Sequence, residues 1–383
     1  MSPPDAQREA THFKNRVLEL VETFLKKQPT SPLVLRLVFP LLELVLHGSP
    51  TEAHLTSKVT GILQSRMFKA KEPLEIANRA EAVELLNALH TEARTASSAQ
   101  TAKLCSQAIL YVSRALLHDR QASSSAGQDL AAPVVAAYTT SLDDFMTKKS
   151  TKVRASLFSD LATRFPVVAW SLRSALVQYA KSDGANSYRQ TQAFNILNDL
   201  ISQLPALSKA GLGAEIREFV PACRAAVYTI LEAAGGGDTD AAKGLKADRL
   251  RDIVKFALKL ARASKAVLPE PADFASAWAA ESLPSLVAGL KQSEKLKSSK
   301  GLLSSVDQLA QLVSAPPVGK AKGGKKAKKV AAAADATSTA KPAAATGDSA
   351  ATDGVVPTKR KKAAAPAAED GVKKAKKKSK KTE

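Results

Sequence analysis

Along most of residues 1–318 of this 383-residue chain, apolar side chains return at helical spacing, and this pattern constrains the fold more than any other feature. Phe13, Val17, Leu20, Val21, Phe24 and Leu25 fall at i, i+4, i+7, i+8, i+11 and i+12, one face of an α-helix. Pro29 ends that helix. Ser31 is placed to cap the next one, with Pro32 in its first turn, where a missing N–H costs nothing. The second helix, Leu33 to Leu46, is apolar almost all round. Burial is predicted for it, with a kink at Pro40, and its apolar surface reads as core rather than as a partner groove. Further helical runs are predicted at 52–68, 74–95, 99–119, 128–147, 151–164, 166–181, 189–203, 214–234, 241–267, 272–280, 282–296 and 299–313. Short breaks such as Gly48-Ser49-Pro50, Glu72-Pro73, Ser182-Asp183-Gly184 and Gly235-Gly236-Gly237 separate them.

No period-two alternation interrupts this succession, so the predicted fold class is all-α. Helix pairs recur roughly every 35–50 residues, within the range of stacked helical repeats, although no residue signature recurs with them. The expected architecture is an irregular armadillo- or HEAT-like helical solenoid over residues 1–318, with a helical bundle as the alternative. Hydrophobic residues make up 45% of the chain and aromatics only 5%, so the core must be packed mainly by Leu, Val, Ala and Ile.

The pattern stops at residue 319. Residues 319–383 contain no Leu, Ile, Met or aromatic residue and hold 18 Lys or Arg against 6 Asp or Glu. Residues 1–318 hold 38 against 30, so most of the formal net charge of +20 lies in the last part of the chain. A segment with so little to bury cannot offset its ordering entropy, and a disordered basic tail is predicted. Pro357-Thr358-Lys359-Arg360-Lys361-Lys362 has the form of a one-part nuclear localisation signal. Together with Lys373, Lys374, Lys376, Lys377 and Lys378 it also fits a two-part signal, read by an import receptor from an extended chain. These clusters and Lys325, Lys326, Lys328 and Lys329 are suited to bind nucleic acid without sequence specificity, by counterion release. No aromatic side chain interleaves them, so base stacking is not expected of the tail.

Within the helical part, Arg251, Lys255, Lys259 and Arg262 lie within about 80° of one another on helix 241–267, a candidate phosphate-contacting face. The competing reading pairs Asp248 and Asp252 with Arg251 and Lys255 at i+3. Other apparent motifs lack their chemistry. Gly319 to Lys326 has the spacing of a phosphate-binding loop but places Lys326 where a magnesium-binding hydroxyl is required. Asp238-Thr239-Asp240 has the carboxylate spacing of a polymerase metal motif, yet it reads more simply as the cap of the following helix. Asn186-Ser187-Tyr188 echoes a second polymerase motif with the wrong lysine spacing. His12, His47, His54, His90 and His118 form no metal-ligand pattern and are expected to be solvated or partly packed. Cys105 and Cys223 make no disulfide framework, pointing to a reducing compartment. The N-terminus has no apolar signal region, and no run of ~18 uncharged apolar residues predicts a membrane span. No enzyme, cofactor or metal is expected.

The string His12-Phe13-Lys14-Asn15-Arg16-Val17-Leu18-Glu19-Leu20-Val21 is followed by Phe24-Leu25-Lys26-Lys27-Gln28-Pro29-Thr30-Ser31-Pro32-Leu33-Val34-Leu35 and then by Pro40-Leu41-Leu42. It resembles the C-terminal region of the DNA polymerase phi family, the nucleolar Myb-binding protein family. The resemblance covers about residues 10–120 and is diffuse beyond. It implies a nuclear, mainly nucleolar protein with armadillo-like repeats that acts in ribosomal RNA transcription and ribosome biogenesis. Its expected partners are rDNA, chromatin or pre-ribosomal RNA, an import receptor, and transcription or ribosome-assembly proteins, with no membrane. Two other functions compete: the DNA-directed DNA polymerase of the family name, and a transcription cofactor acting only through protein contacts. The family carries a long N-terminal repeat region and an acidic stretch before this part, so a fragment or shortened member is expected here.

If the tail carries the nucleic-acid affinity, binding to duplex DNA or RNA should weaken steeply with salt, and removing residues 319–383 should abolish most of that slope. A titration in which the shortened protein keeps the full slope would move the contact to Arg251, Lys255, Lys259 and Arg262.

Overall fold

The computed structural model of the chain describes residues 3–119, 129–181, 187–236, 246–293 and 296–314. Among them are sixteen α-helices and no strand. They are α1 (Pro3–Lys27), α2 (Leu33–Leu46), α3 (Ala53–Ile62), α4 (Arg79–Thr95), α5 (Ala99–Leu117), α6 (Ala132–Thr147), α7 (Ala155–Arg164) and α8 (Pro166–Trp170), then α9 (Arg173–Lys181), α10 (Ser187–Ser202), α11 (Leu204–Lys209), α12 (Gly213–Gly235), α13 (Ala247–Val267), α14 (Pro271–Trp278), α15 (Leu283–Gln292) and α16 (Lys300–Ser314). The chain divides into two units, Met1–Ala321 and Lys322–Glu383. The predicted tail, with its localisation and lysine clusters, lies outside the described residues, as does Asp238-Thr239-Asp240.

Each helix packs on neighbours close in sequence: α4 on α5 and α6, α7 on α8 and α10, α9 on α10 and α12, α13 on α11, α12 and α16. The side chains that link elements repeat the same spacing. Arg36 meets Glu81 across 45 residues, Gln64 meets Gln107 across 43, Arg114 meets the Ala70 carbonyl across 44, and Trp170 meets Glu215 across 45. Among the described residues this architecture is an all-α helical-repeat solenoid, packed chiefly between elements near one another in sequence.

The core is aliphatic with a few aromatic anchors. Trp170 is buried against Phe219, and its indole N–H donates to Glu215 Oε2 at 2.8 Å. The same oxygen pairs with Arg173 Nη2 at 2.6 Å, and the Arg173 guanidinium lies over the Trp170 ring. Trp278, fully buried, donates to the Ser264 hydroxyl, while the Tyr228 hydroxyl donates to the Trp278 carbonyl at 2.8 Å. Both indoles therefore bury a large apolar area with the N–H satisfied.

Several predicted boundaries are corrected. Residues 74–78 are not helical: Asn78 caps α4 by accepting from the N–H groups of Ala80 (3.1 Å) and Glu81 (3.4 Å), while the Glu75 N–H is held by the Thr30 carbonyl. The run 52–68 closes in a π-turn over Leu63–Met67. The run 166–181 breaks into α8 and α9 at Ser171-Leu172. A short helix, α11, fills part of the predicted break before α12. Ser31 does not cap α2: Pro32 stands at that position, and the Ser31 hydroxyl accepts only from the Leu33 N–H, at 3.4 Å. Helix α2 runs through Pro40, and one edge of it stays exposed rather than buried.

His90 is also corrected, from partly packed to fully buried. Its Nδ1 lies 2.8 Å from the Ser141 hydroxyl, and its ring stands edge-on to Tyr138. Burial disfavours the charged imidazolium and lowers the pKa from 6.5 to about 3, with the nearby Arg94 charge acting in the same direction. Between those two values the unfolded chain binds a proton that the folded chain excludes, so this contribution is complete above pH 6.5 and is lost as the pH falls through that window. By pH 4.5, two pH units below the unfolded value, His90 should account for about 3 kcal/mol of lost stability. Urea unfolding measured from pH 7 to 4 should show this loss, and His90→Gln should flatten it; an unchanged pH profile in the variant would assign the loss to other groups.

Candidate functional site

The basic face predicted on α13 is largely engaged within the molecule. Arg251 Nη1 pairs with Asp248 Oδ1 at 3.0 Å, and Lys255 Nζ with Asp252 Oδ1 at 3.1 Å. Lys259 Nζ donates to the Asn198 carbonyl on α10 at 2.9 Å, and burial lowers its pKa. Arg262 is exposed and makes no ion pair among the described residues. The four share one helix, but three of them also tie it to itself or to α10. Of the tripeptide at 186–188, Ser187 and Tyr188 open α10, with the Tyr188 ring exposed.

A different surface stands out at the first three helices. The predicted inward face of α1 is rotated: Leu18 and Leu25 are buried, whereas Phe13 and Leu20 are 68% and 71% exposed. Leu44 of α2 is 44% exposed. Between them Val17, Val21, Leu37, Pro40, Leu41 and Leu55 line an apolar groove of about 270 Å³. Lys14 and Glu52, 2.6 Å apart, form an ion pair at its edge, and Lys58–Glu19 and Arg66–Glu22 hold α1 against α3 and the π-turn. The apolar surface of α2, expected to serve only as core, thus contributes one wall of an open groove. The signal was present in the sequence: α1 has apolar residues over a wide arc and α2 all round, more apolar surface than two adjacent helices can cover.

The remaining chemistry-bearing residues are inert in character. Cys105 and Cys223 are buried free thiols, and burial pushes the Cys105 pKa up to about 12 and that of Cys223 higher still. His12, His47, His54 and His118 are exposed. Among the described residues, no group of three or more His, Cys, Asp or Glu could hold a metal ion, and no helix is long and apolar enough to cross a membrane.

Stacked helix pairs with an open groove define a helical-repeat scaffold, a class that works by presenting surface to other macromolecules. Residues 28–219, half of the chain, match the family described as Myb-binding protein 1A-like, TPR repeats, and the chain belongs to that family. The match begins just after α1 and ends within α12. A Myb-binding protein 1A-like protein of Danio rerio is 32% identical over 194 residues, covering 48% of this chain and 15% of the relative. Myb-binding protein 1A of Homo sapiens is 30% identical over 196 residues, covering 44% and 15%, and that of Mus musculus is 27% identical over 217 residues, covering 50% and 16%. The region matched is therefore about one sixth of these relatives' length. They carry the name of a binding protein rather than of a polymerase. No solved structure matches the chain.

Because Phe13 and Leu44 are exposed, replacing both with Ser should shift stability by less than about 0.5 kcal/mol per site. The double variant should nevertheless lose binding of an apolar fluorescent dye. Dye binding equal to wild type, with an unchanged melting temperature, would show that the groove is not an accessible apolar site.

Proposed function

We propose that this chain is a non-enzymatic nucleolar scaffold that supports ribosomal RNA transcription and ribosome biogenesis. Membership of the Myb-binding protein 1A-like family carries this reading. The helical body binds protein partners, Myb-type transcription factors among them, in keeping with the name of its relatives. The apolar groove between α1, α2 and α3 supports that role, since burying one Leu or Phe side chain contributes ~1.5–3 kcal/mol to an association. The lysine clusters of residues 319–383 direct nuclear import and add nonspecific affinity for rDNA, chromatin or pre-ribosomal RNA.

Deleting residues 319–383 should move a fluorescently tagged protein from the nucleus to the cytoplasm, and Lys359, Arg360, Lys361 and Lys362 changed together to Ala should weaken import; unchanged localisation would remove the import role. Within the nucleus, crosslinking followed by sequencing should recover ribosomal DNA or pre-ribosomal RNA above other transcripts. Primer extension by the purified chain, abolished by Asp238→Ala with Asp240→Ala, would replace the scaffold reading with a polymerase.

A further inference from the structure

A second, larger groove of about 920 Å³ lies between the π-turn after α3, helix α5 and helix α7. Five cations reach its lining, Lys69, Lys103, Arg114, Arg154 and Arg164, against one carboxylate, Asp160. Arg114 donates to the carbonyls of Ala70, at 2.6 Å, and Lys71, which hold its guanidinium in place without cancelling its charge. Among the described residues, none of the five forms an ion pair. Elsewhere on the body many cations are paired, Arg36 with Glu81, Arg79 with Asp119 and Arg94 with Asp144 among them. The groove therefore gathers uncompensated positive charge in one concave place.

Its walls are not purely charged. Phe68 and Tyr111 stand with ring centroids 5.7 Å apart, and Phe165 also lines the groove. Gln64 Nε2 donates to Gln107 Oε1 at 3.3 Å, leaving amide donors and acceptors available along the floor. We propose that this groove binds an acidic peptide segment of a protein partner, its carboxylates on Lys103, Arg154 and Arg164 and an apolar side chain against the Phe68–Tyr111 wall. Three observations favour that occupant. The chain's own residues 319–383, with 18 Lys or Arg against 6 Asp or Glu, have the wrong sign to fill the groove. Asp160 stands among the cations as the one carboxylate of the lining; partial burial raises its pKa, while the Arg164 and Lys103 charges act the other way. A nucleic acid, charged at every phosphate, must place repulsion against that carboxylate, whereas a peptide can set a neutral residue opposite it. The amide floor matches peptide N–H and C=O groups, the obligatory hydrogen-bonding groups of any extended segment.

The test uses the full chain and a 12-residue peptide rich in Glu with one Phe and one photo-crosslinking residue. An amide counterpart with Gln for Glu, and a 12-nucleotide RNA, serve as comparisons. The acidic peptide should crosslink to residues of α5 and α7, and Lys103→Glu with Arg154→Glu and Arg164→Glu should remove those crosslinks and weaken binding at least tenfold. Asp160→Asn should tighten it severalfold. RNA affinity should stay within twofold of wild type in the triple variant. Crosslinks confined to residues 319–383 would overturn the proposal, as would equal binding of the amide peptide or an RNA loss as large as the peptide loss. Circular dichroism of each variant separates these outcomes from unfolding. Changes at Phe13 and Leu44 should leave the acidic peptide's affinity unaltered, so failure of the apolar groove and failure of this one are distinguishable.

Discussion

Stacking of one helix pair on the next is the interaction on which the rest of this molecule depends. Helices α8 and α11 span five and six residues, far short of the ~12–15 at which an isolated helix becomes even marginal in water. They persist because their apolar faces close against neighbours: Trp170 of α8 against Phe219 of α12, Leu204 and Leu207 of α11 inside the common core. The polar edge of that contact is equally determined. One carboxylate, Glu215, takes both the Trp170 indole N–H and the Arg173 guanidinium, so an indole and a cation that would be costly to bury alone are satisfied by a single acceptor. Where stacking has no further partner among the described helices, at α1 and α2, the same apolar stripes stay open and become the groove.

The class of fold was legible because helical periodicity and short breaks survive almost everywhere in the body. Boundaries were less so, for identifiable reasons. The start of α4 was set by a side-chain acceptor, Asn78, and by the distant Thr30 carbonyl, neither of which hydrophobic spacing registers. The division of α8 from α9 follows the demands of Trp170 and Arg173 rather than any Gly or Pro at the break. The repeat period was visible only as a rough recurrence of helix pairs. In the structure it becomes explicit in side-chain contacts near 45 residues apart, made by residues of different types in each repeat, which is why no signature recurred.

The surfaces were harder to read than the core. A stripe such as Arg251, Lys255, Lys259 and Arg262 is found by counting along one helix. Whether its charges are free depends on partners such as Asp248 at one end and the Asn198 carbonyl on another helix. The groove beside α5 shows the converse. Lys69, Lys103, Arg114, Arg154 and Arg164 are spread over nearly a hundred residues and form no motif, yet the fold draws them to one place. Concavity is a product of stacking, so a site made by it is invisible to any reading confined to single helices.

The regular reach of the contacts has a consequence for synthesis. A helix such as α5 finds its principal partners, α4 and α2, in chain that precedes it, and Trp170 waits only 45 residues for Glu215. Contacts this local carry little loop-closure cost and favour rapid formation of structure. The body can consequently acquire its core in order of emergence from the ribosome, each new pair settling on a surface already in place, before the lysine-rich end of the chain has been translated at all.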